Sequence, residues 1–134
     1  MARDELYRLE RVGKVVCVKL TNVWSKSLAD QVYSEVQELV QDIKHEPWAA
    51  HVDMRDWIMP TIEAFDSFQK IYDWCAKNNQ THETTVCTFA TQKRLISDFS
   101  PYTDDYHFFT QKPSAAQDWL NSRGFPLILP STMD

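Results

Sequence analysis

Glycine is almost missing from this chain: of 134 residues, only Gly13 and Gly124 are glycines. Phosphate-cradling loops and dinucleotide-binding turns need several closely spaced glycines so that backbone can approach the ligand. Neither can be built here. Cysteine is scarce and odd in number: Cys17, Cys75 and Cys87 lie far apart within apolar segments. No Cys-x-x-Cys spacing suggests zinc or redox work, and the three read as buried thiols of a reducing compartment, so a cytoplasmic protein is expected. Basic residues are outnumbered, 14 Lys and Arg against 19 Asp and Glu, for a net charge of −5. A nucleic-acid partner is not expected, because it would call for a basic face or stripe. Long apolar runs are absent, so no segment approaches the roughly 20 residues of a membrane span. The opening Met-Ala-Arg-Asp-Glu-Leu-Tyr-Arg has no apolar core of a secretory signal. Nucleophile elbows, His-Glu-x-x-His helices and catalytic cysteine signatures are missing too.

What is present fits a single globular domain over residues 1–134, with 43% hydrophobic and 25% charged residues. A chain of this length buries roughly two thirds of its unfolded surface.

Patterning supplies the order of elements. Residues 5–11 alternate as a half-buried strand does, and Val12-Gly13 turns into the β-branched run Lys14–Leu20, predicting an antiparallel hairpin. Ser25 or Ser27 caps a helix whose apolar stripe is Leu28, Val32, Val36, Leu39, Val40 and Ile43, ended by Pro47. Trp48–Arg55 reads as a strand with Trp48, Ala50, Val52 and Met54 on one face and Ala49, His51, Asp53 and Arg55 on the other. Pro60-Thr61 opens a second helix that buries Ile62, Phe65, Phe68, Tyr72, Cys75 and Ala76 and stops at Asn78-Asn79. Thr84–Ala90 reads as the next strand, Lys93–Phe99 as a short helix and Asp105–Phe109 as a further strand. Pro113, a Ser114–Gln117 capping box and Gly124 bracket the final helix. Residues 126–134 form an extended C-terminal tail, since Pro126 and Pro130 forbid helix. Strands alternating with helices imply an α/β fold with a mostly parallel sheet of four or five strands. The polar faces of the central strands place the helices mainly on one side, leaving the other partly wet or shared with a partner. An edge strand and an open face also need protection, for which a homodimer is one route.

The hairpin followed by (βα) units, with Asp53 ending a strand before the Pro60-Thr61 helix start, resembles the SpoIIAA-like family. That family includes the STAS domains of anti-sigma factor antagonists and shares a fold class with CRAL-TRIO lipid-transfer domains. The resemblance covers about residues 5–125 and implies a bacterial regulatory or interaction module. In the antagonists an Asp-Ser-Ser-Gly-like helix start carries the phosphorylated serine. Here the corresponding residues are Thr61-Ile62-Glu63-Ala64, so only Thr61, or Ser67 nearby, remains as a phosphate acceptor. Thr61 as a plain N-cap is the competing reading.

Two constellations merit a chemical reading. His51 and Asp53, two apart on a strand, project from one face as an acid/base pair or part of a metal site would; a hydrogen-bonded polar face joined by Arg55 is the alternative. The segment Asp53–Pro60 lies where α/β folds bind ligands, outside the carboxyl ends of the strands. With Trp24 and the Thr91–Arg94 loop it offers Trp24, Trp57, Ile58 and Met59, edged by Arg55, Lys93 and Arg94. That mixture suits a protein partner, a small apolar ligand, or tryptophans that plug the core. The expectation is a non-enzymatic interaction module, with a carrier or sensor of a small apolar or lipid-like ligand as the alternative. No catalytic residue, metal site or cofactor is assigned.

Overall fold

The computed structural model describes residues 6–130. Tyr7–Val12 (β1) and Val15–Trp24 (β2) form an antiparallel hairpin in which Tyr7 faces Leu20 and Val12 faces Val15. Gly13 closes it at φ 59°, a left-handed conformation that glycine adopts without strain. From there β2, Trp48–Pro60 (β3), Gln80–Val86 (β4) and His107–Thr110 (β5) run parallel, in the spatial order β1-β2-β3-β4-β5. The helices are Lys26–Leu39 (α1), Phe65–Lys77 (α2), Ala90–Phe99 (α3) and Pro113–Ser122 (α4).

Helices α1, α2 and α3 cover one face. Their apolar stripes meet Val16, Leu20, Trp24, Trp48, Ala50, Val52 and Met54 in the main core. The other face is covered at its centre and stays partly wet at the hairpin end, as the polar residues of the strands predict: Arg8 and Glu10 are exposed on that face beside half-buried Lys19. At the centre α4 and the arm after it pack Leu120, Phe125 and Leu127 on Val15, Cys17 and Ala49. The arm is held through side chains: Leu127 N–H donates to Asn121 Oδ1 at 2.8 Å and Leu129 N–H to Gln117 Oε1 at 2.9 Å. The expected tail lies extended through residue 130; residues 131–134 lie outside the described residues, as does Glu5 of the first expected strand.

Caps and breaks explain most boundaries. Ser25 Oγ accepts from Leu28 N–H at 3.2 Å and starts α1. That helix ends at Leu39, and Val40 and Ile43 reach the core from turns instead. Asn78 caps α2 and Asn79 takes φ 73°, which lets β4 begin at Gln80, four residues earlier than Thr84. Residues 89–90, read from sequence as strand, start α3. Pro113 itself is the first residue of α4, so Ser114 is inside the helix and caps nothing. The Ser114–Gln117 box is absent, and Gln117 serves the arm.

Strand β3 is the main departure. It does not end at Arg55 but continues through Pro60 alongside β2, with Asp56 facing Thr21, Trp57 facing Asn22 and Met59 facing Val23. Two register shifts insert extra β3 residues against β2. Each bulge turns the strand further, so that beyond Asp53 every third residue, Met54, Trp57 and Pro60, points inward.

Candidate functional site

The carboxyl ends of β2, β3 and β4 meet at one rim of the sheet. Beneath the rim lies an aromatic pedestal. Trp24 is 1% exposed and Trp57 3%; their rings cross edge-on at 6.3 Å, and Trp57 stacks on Phe68 at 5.4 Å. The two indoles therefore close the end of the core and do not themselves face a partner. Ile58 and Met59 are exposed, as are Val23, which faces Met59 across the ladder, and Ile62 and Phe89 at the neighbouring helix starts. Ile62 was expected inside the second helix. It instead sits on a 3-10 turn, Ile62–Ala64, before α2 begins and points to solvent.

One side chain holds the rim together. β4 stops pairing at Asp53, so the β4 side of the β3 extension has no strand beside it. Buried Gln92, on the first turn of α3, fills the gap. Its Nε2 donates to Met54 O at 2.8 Å and Trp57 O at 2.9 Å. Its Oε1 accepts from Thr88 N–H at 2.8 Å and Phe89 N–H at 3.1 Å. The expected Thr91–Arg94 loop is thus helix, and its glutamine is a staple that sequence reading passed over. Two main-chain partners on either side of a buried amide leave no signature in composition.

The cations do not form one edge. Arg55 grips buried Asp53 through Nε at 3.0 Å and a terminal nitrogen at 2.7 Å, on the α4 side of the sheet. Lys93 leans toward β5, its Nζ 5.5 Å from the centre of the Phe109 ring. Arg94 is exposed on α3. Thr61 is half-buried at the N-cap of the 3-10 turn, makes no capping bond with its hydroxyl, and is fixed by its N–H to Trp24 O at 2.8 Å. Ser67 is buried.

His51 and Asp53 share a face as expected, but that face is closed. His51 is fully buried, its Nδ1 2.9 Å from Thr84 Oγ1. Burial pushes its pKa down to about 4, with nearby Asp53 opposing and Arg55 adding to the fall. Asp53 is committed to Arg55. Both side chains are buried and bonded to Thr84 and Arg55, which is the hydrogen-bonded polar layer that sequence offered as the alternative. Cys17 is raised to about 12 by burial, and Cys75 is raised further for the same reason; neither is a thiolate nucleophile. Among the described residues, no group of three or more His, Cys, Asp or Glu is placed to hold a metal ion, and no helix is long and apolar enough to cross a membrane.

A second polar cluster was not anticipated. Glu83, buried on β4, accepts from Tyr72 Oη at 2.7 Å and Thr85 Oγ1 at 3.1 Å, and His107 Nε2 lies 3.3 Å away. Gln80 Nε2 reaches its other oxygen at 3.3 Å, and Ser100 Oγ bonds His107 Nδ1 at 2.7 Å. Burial lowers His107 against the pull of Glu83 and Asp104, and raises Tyr72 with help from Glu83. These polar residues made Gln80–Glu83 look like a loop.

No family model matches the chain, and no curated protein matches it in sequence. Solved structures do match. An uncharacterised DUF3478-family protein with a SpoIIAA-like fold from Shewanella loihica PV-4 superposes with a TM-score of 0.67 at 16% identity, over 85% of this chain and 91% of that one. The anti-sigma factor antagonist SpoIIAA in its unphosphorylated form gives 0.60 at 9% identity, over 88% and 98%. An anti-sigma factor antagonist from Mycobacterium paratuberculosis gives 0.57 at 11%, over 86% and 92%. With five strands in this order, an N-terminal antiparallel hairpin and the helices mainly on one face, the chain has the SpoIIAA-like fold.

Proposed function

We propose that this protein is a regulatory module that acts by binding another protein through the rim formed by Val23, Ile58, Met59, Ile62 and Phe89. The observation that carries the reading is the contrast at that rim. Ile58 is 61% exposed and Met59 50%, while the adjacent Trp57 is buried and the backbone between is stapled by Gln92. Exposed apolar side chains on a rigid, pre-ordered support lose little entropy on docking, which favours association. Clustered apolar exposure of this kind marks interaction surfaces. The likeness in fold to two anti-sigma factor antagonists supports the same class of role.

Regulation by phosphate at the helix start is not part of the proposal. The Thr61 position has neither the serine pair nor the glycine, and Glu63 already places a carboxylate in the turn. The test is a photo-crosslinking amino acid placed at Ile58, with a second placed at exposed Gln41 behind α1 as control. Capture of the same partner from cells at Ile58 but not at Gln41, abolished by Met59→Asp, supports the rim. Equal capture at both positions, or none at Ile58, refutes it.

A further inference from the structure

Between the helical layer and the sheet lies a cavity of about 60 Å³, separate from the rim. Its floor is Val16, Leu20, Ala50 and Val52 of the sheet and its roof Val32, Val36, Phe68 and Ile71 of α1 and α2. Tyr72, Gln80 and Glu83 form one polar wall. We propose that this cavity is a binding site for a small, uncharged, mostly apolar molecule bearing at most one polar group, which turns toward the Glu83 wall.

Three observations set that chemical class. First, the lining is hydrocarbon on nearly every side, and water needs two to four polar partners to settle in a cavity. The polar wall has little to offer it, because Tyr72, Gln80 and Thr85 already spend their donors on Glu83 or its neighbours. Apolar cavities of this kind stay dry and take up apolar guests. Second, no Lys or Arg lines the space, and the group nearest to a cation, His107, is depressed by burial. An anionic guest would meet the Glu83 side chain without a counter-charge, and burying an unpaired charge is prohibitive. A fatty acid or phosphate ester is therefore excluded. Third, the volume is below the roughly 150 Å³ that admits benzene. The guest is a molecule of a few heavy atoms.

The proposal does not rest on the interaction role of the rim and can fail or stand without it. Its test is xenon titration of the full chain, followed by methyl NMR. Saturable shifts are expected at Val16, Val36, Val52, Ile71 and Ile96, with methyls near α4 unmoved. Ala50→Leu fills the space and should weaken xenon binding at least tenfold. Where that variant does not fold, Val36→Phe takes its place. Isobutanol should displace xenon, and isobutyrate at pH 7 should not. Absent shifts in the wild type, shifts that persist undiminished in a folded filled variant, or equal competition by isobutyrate would each overturn the assignment.

Discussion

Acid should unfold this protein through His51 more than through any surface charge. The imidazole is fully buried, bonded through Nδ1 to Thr84, and depressed from 6.5 to about 4 chiefly by desolvation. The unfolded chain therefore takes up a proton near pH 6.5 that the folded chain refuses until about pH 4. Below 6.5 the unfolded state binds more protons, so stability falls as pH falls, and the contribution present at neutral pH is lost across that window. Asp53 and Arg55, the charged groups that face the ring, offset each other in part. At 1.36 kcal/mol per pKa unit, the full loss is about 3 kcal/mol, and about 2.5 kcal/mol of it is reached by pH 4.5. Losses of that size are a large part of the roughly 5–15 kcal/mol that holds a domain together.

The assay is urea unfolding followed by tryptophan fluorescence at pH 7.5 and 4.5, for wild type and His51→Leu. Leucine has no titrating group, so the carboxylates that protonate in the same window cancel in the comparison. Wild type should lose about 2.5 kcal/mol more than the variant on acidification. The variant itself should start lower, because Thr84 loses a buried partner at a cost of about 1–3 kcal/mol. Equal losses in the two proteins would show that His51 titrates normally in the fold, and the closed polar layer would then be wrong.

Other outcomes follow from the rim and the buried network. Gln92→Leu strands two carbonyls and two N–H groups and should cost about 2–4 kcal/mol, read by urea midpoint; a cost below 0.5 kcal/mol would mean the staple is redundant. Trp57→Ala should cost about 3–5 kcal/mol as a buried aromatic, whereas Met59→Ser at the exposed position should stay within about 0.5 kcal/mol, a contrast that thermal melts of both variants would expose. Glu83→Gln keeps the shape but turns one carboxylate oxygen into an NH2 donor, which must face either Tyr72 and Thr85 or the Gln80 amide, all of them donors to Glu83; a loss of about 1–3 kcal/mol is expected, and no loss would show that the cluster is solvated.

The order of elements was legible because each helix carries an apolar stripe at its own period and each turn its own chemistry. Gly13, Ser25 and Asn79 do locally what their types suggest. Two features were not legible, for different reasons. In β3 the alternating period that marks a strand breaks at the bulges, so the 57–60 stretch reads as loop although Trp57, Met59 and Pro60 pair with β2 and Ile58 is the extra residue of the second bulge. In β4 the ladder with β3 also shifts register after Gln80, and the buried residues there, Gln80 and Glu83, are polar, so only tertiary partners from α2 and β5 make them burial-compatible. The candidate site followed the same divide. Ile58 and Met59 lie at the rim as read, while Trp24 and Trp57 lie beneath it, because side-chain depth at a bulge is set by register, which sequence spacing does not carry.

That depth gives the molecule a physical link between its two candidate sites. Trp24 lines the internal cavity and also crosses Trp57 at 6.3 Å, and Trp57 is the inward residue of the strand whose next two side chains form the rim. A guest that shifts Trp24 must therefore shift Trp57 or be resisted by it, since packed cores repack between discrete arrangements and do not deform continuously. Any such coupling is reciprocal: a partner on the rim would alter guest affinity by the same factor as the guest alters partner affinity. The indole N–H signals of Trp24 and Trp57 report each end separately. Under xenon both should move with one shared saturation curve. Movement of Trp24 with Trp57 unshifted would show that the pedestal is rigid and the cavity and rim are independent.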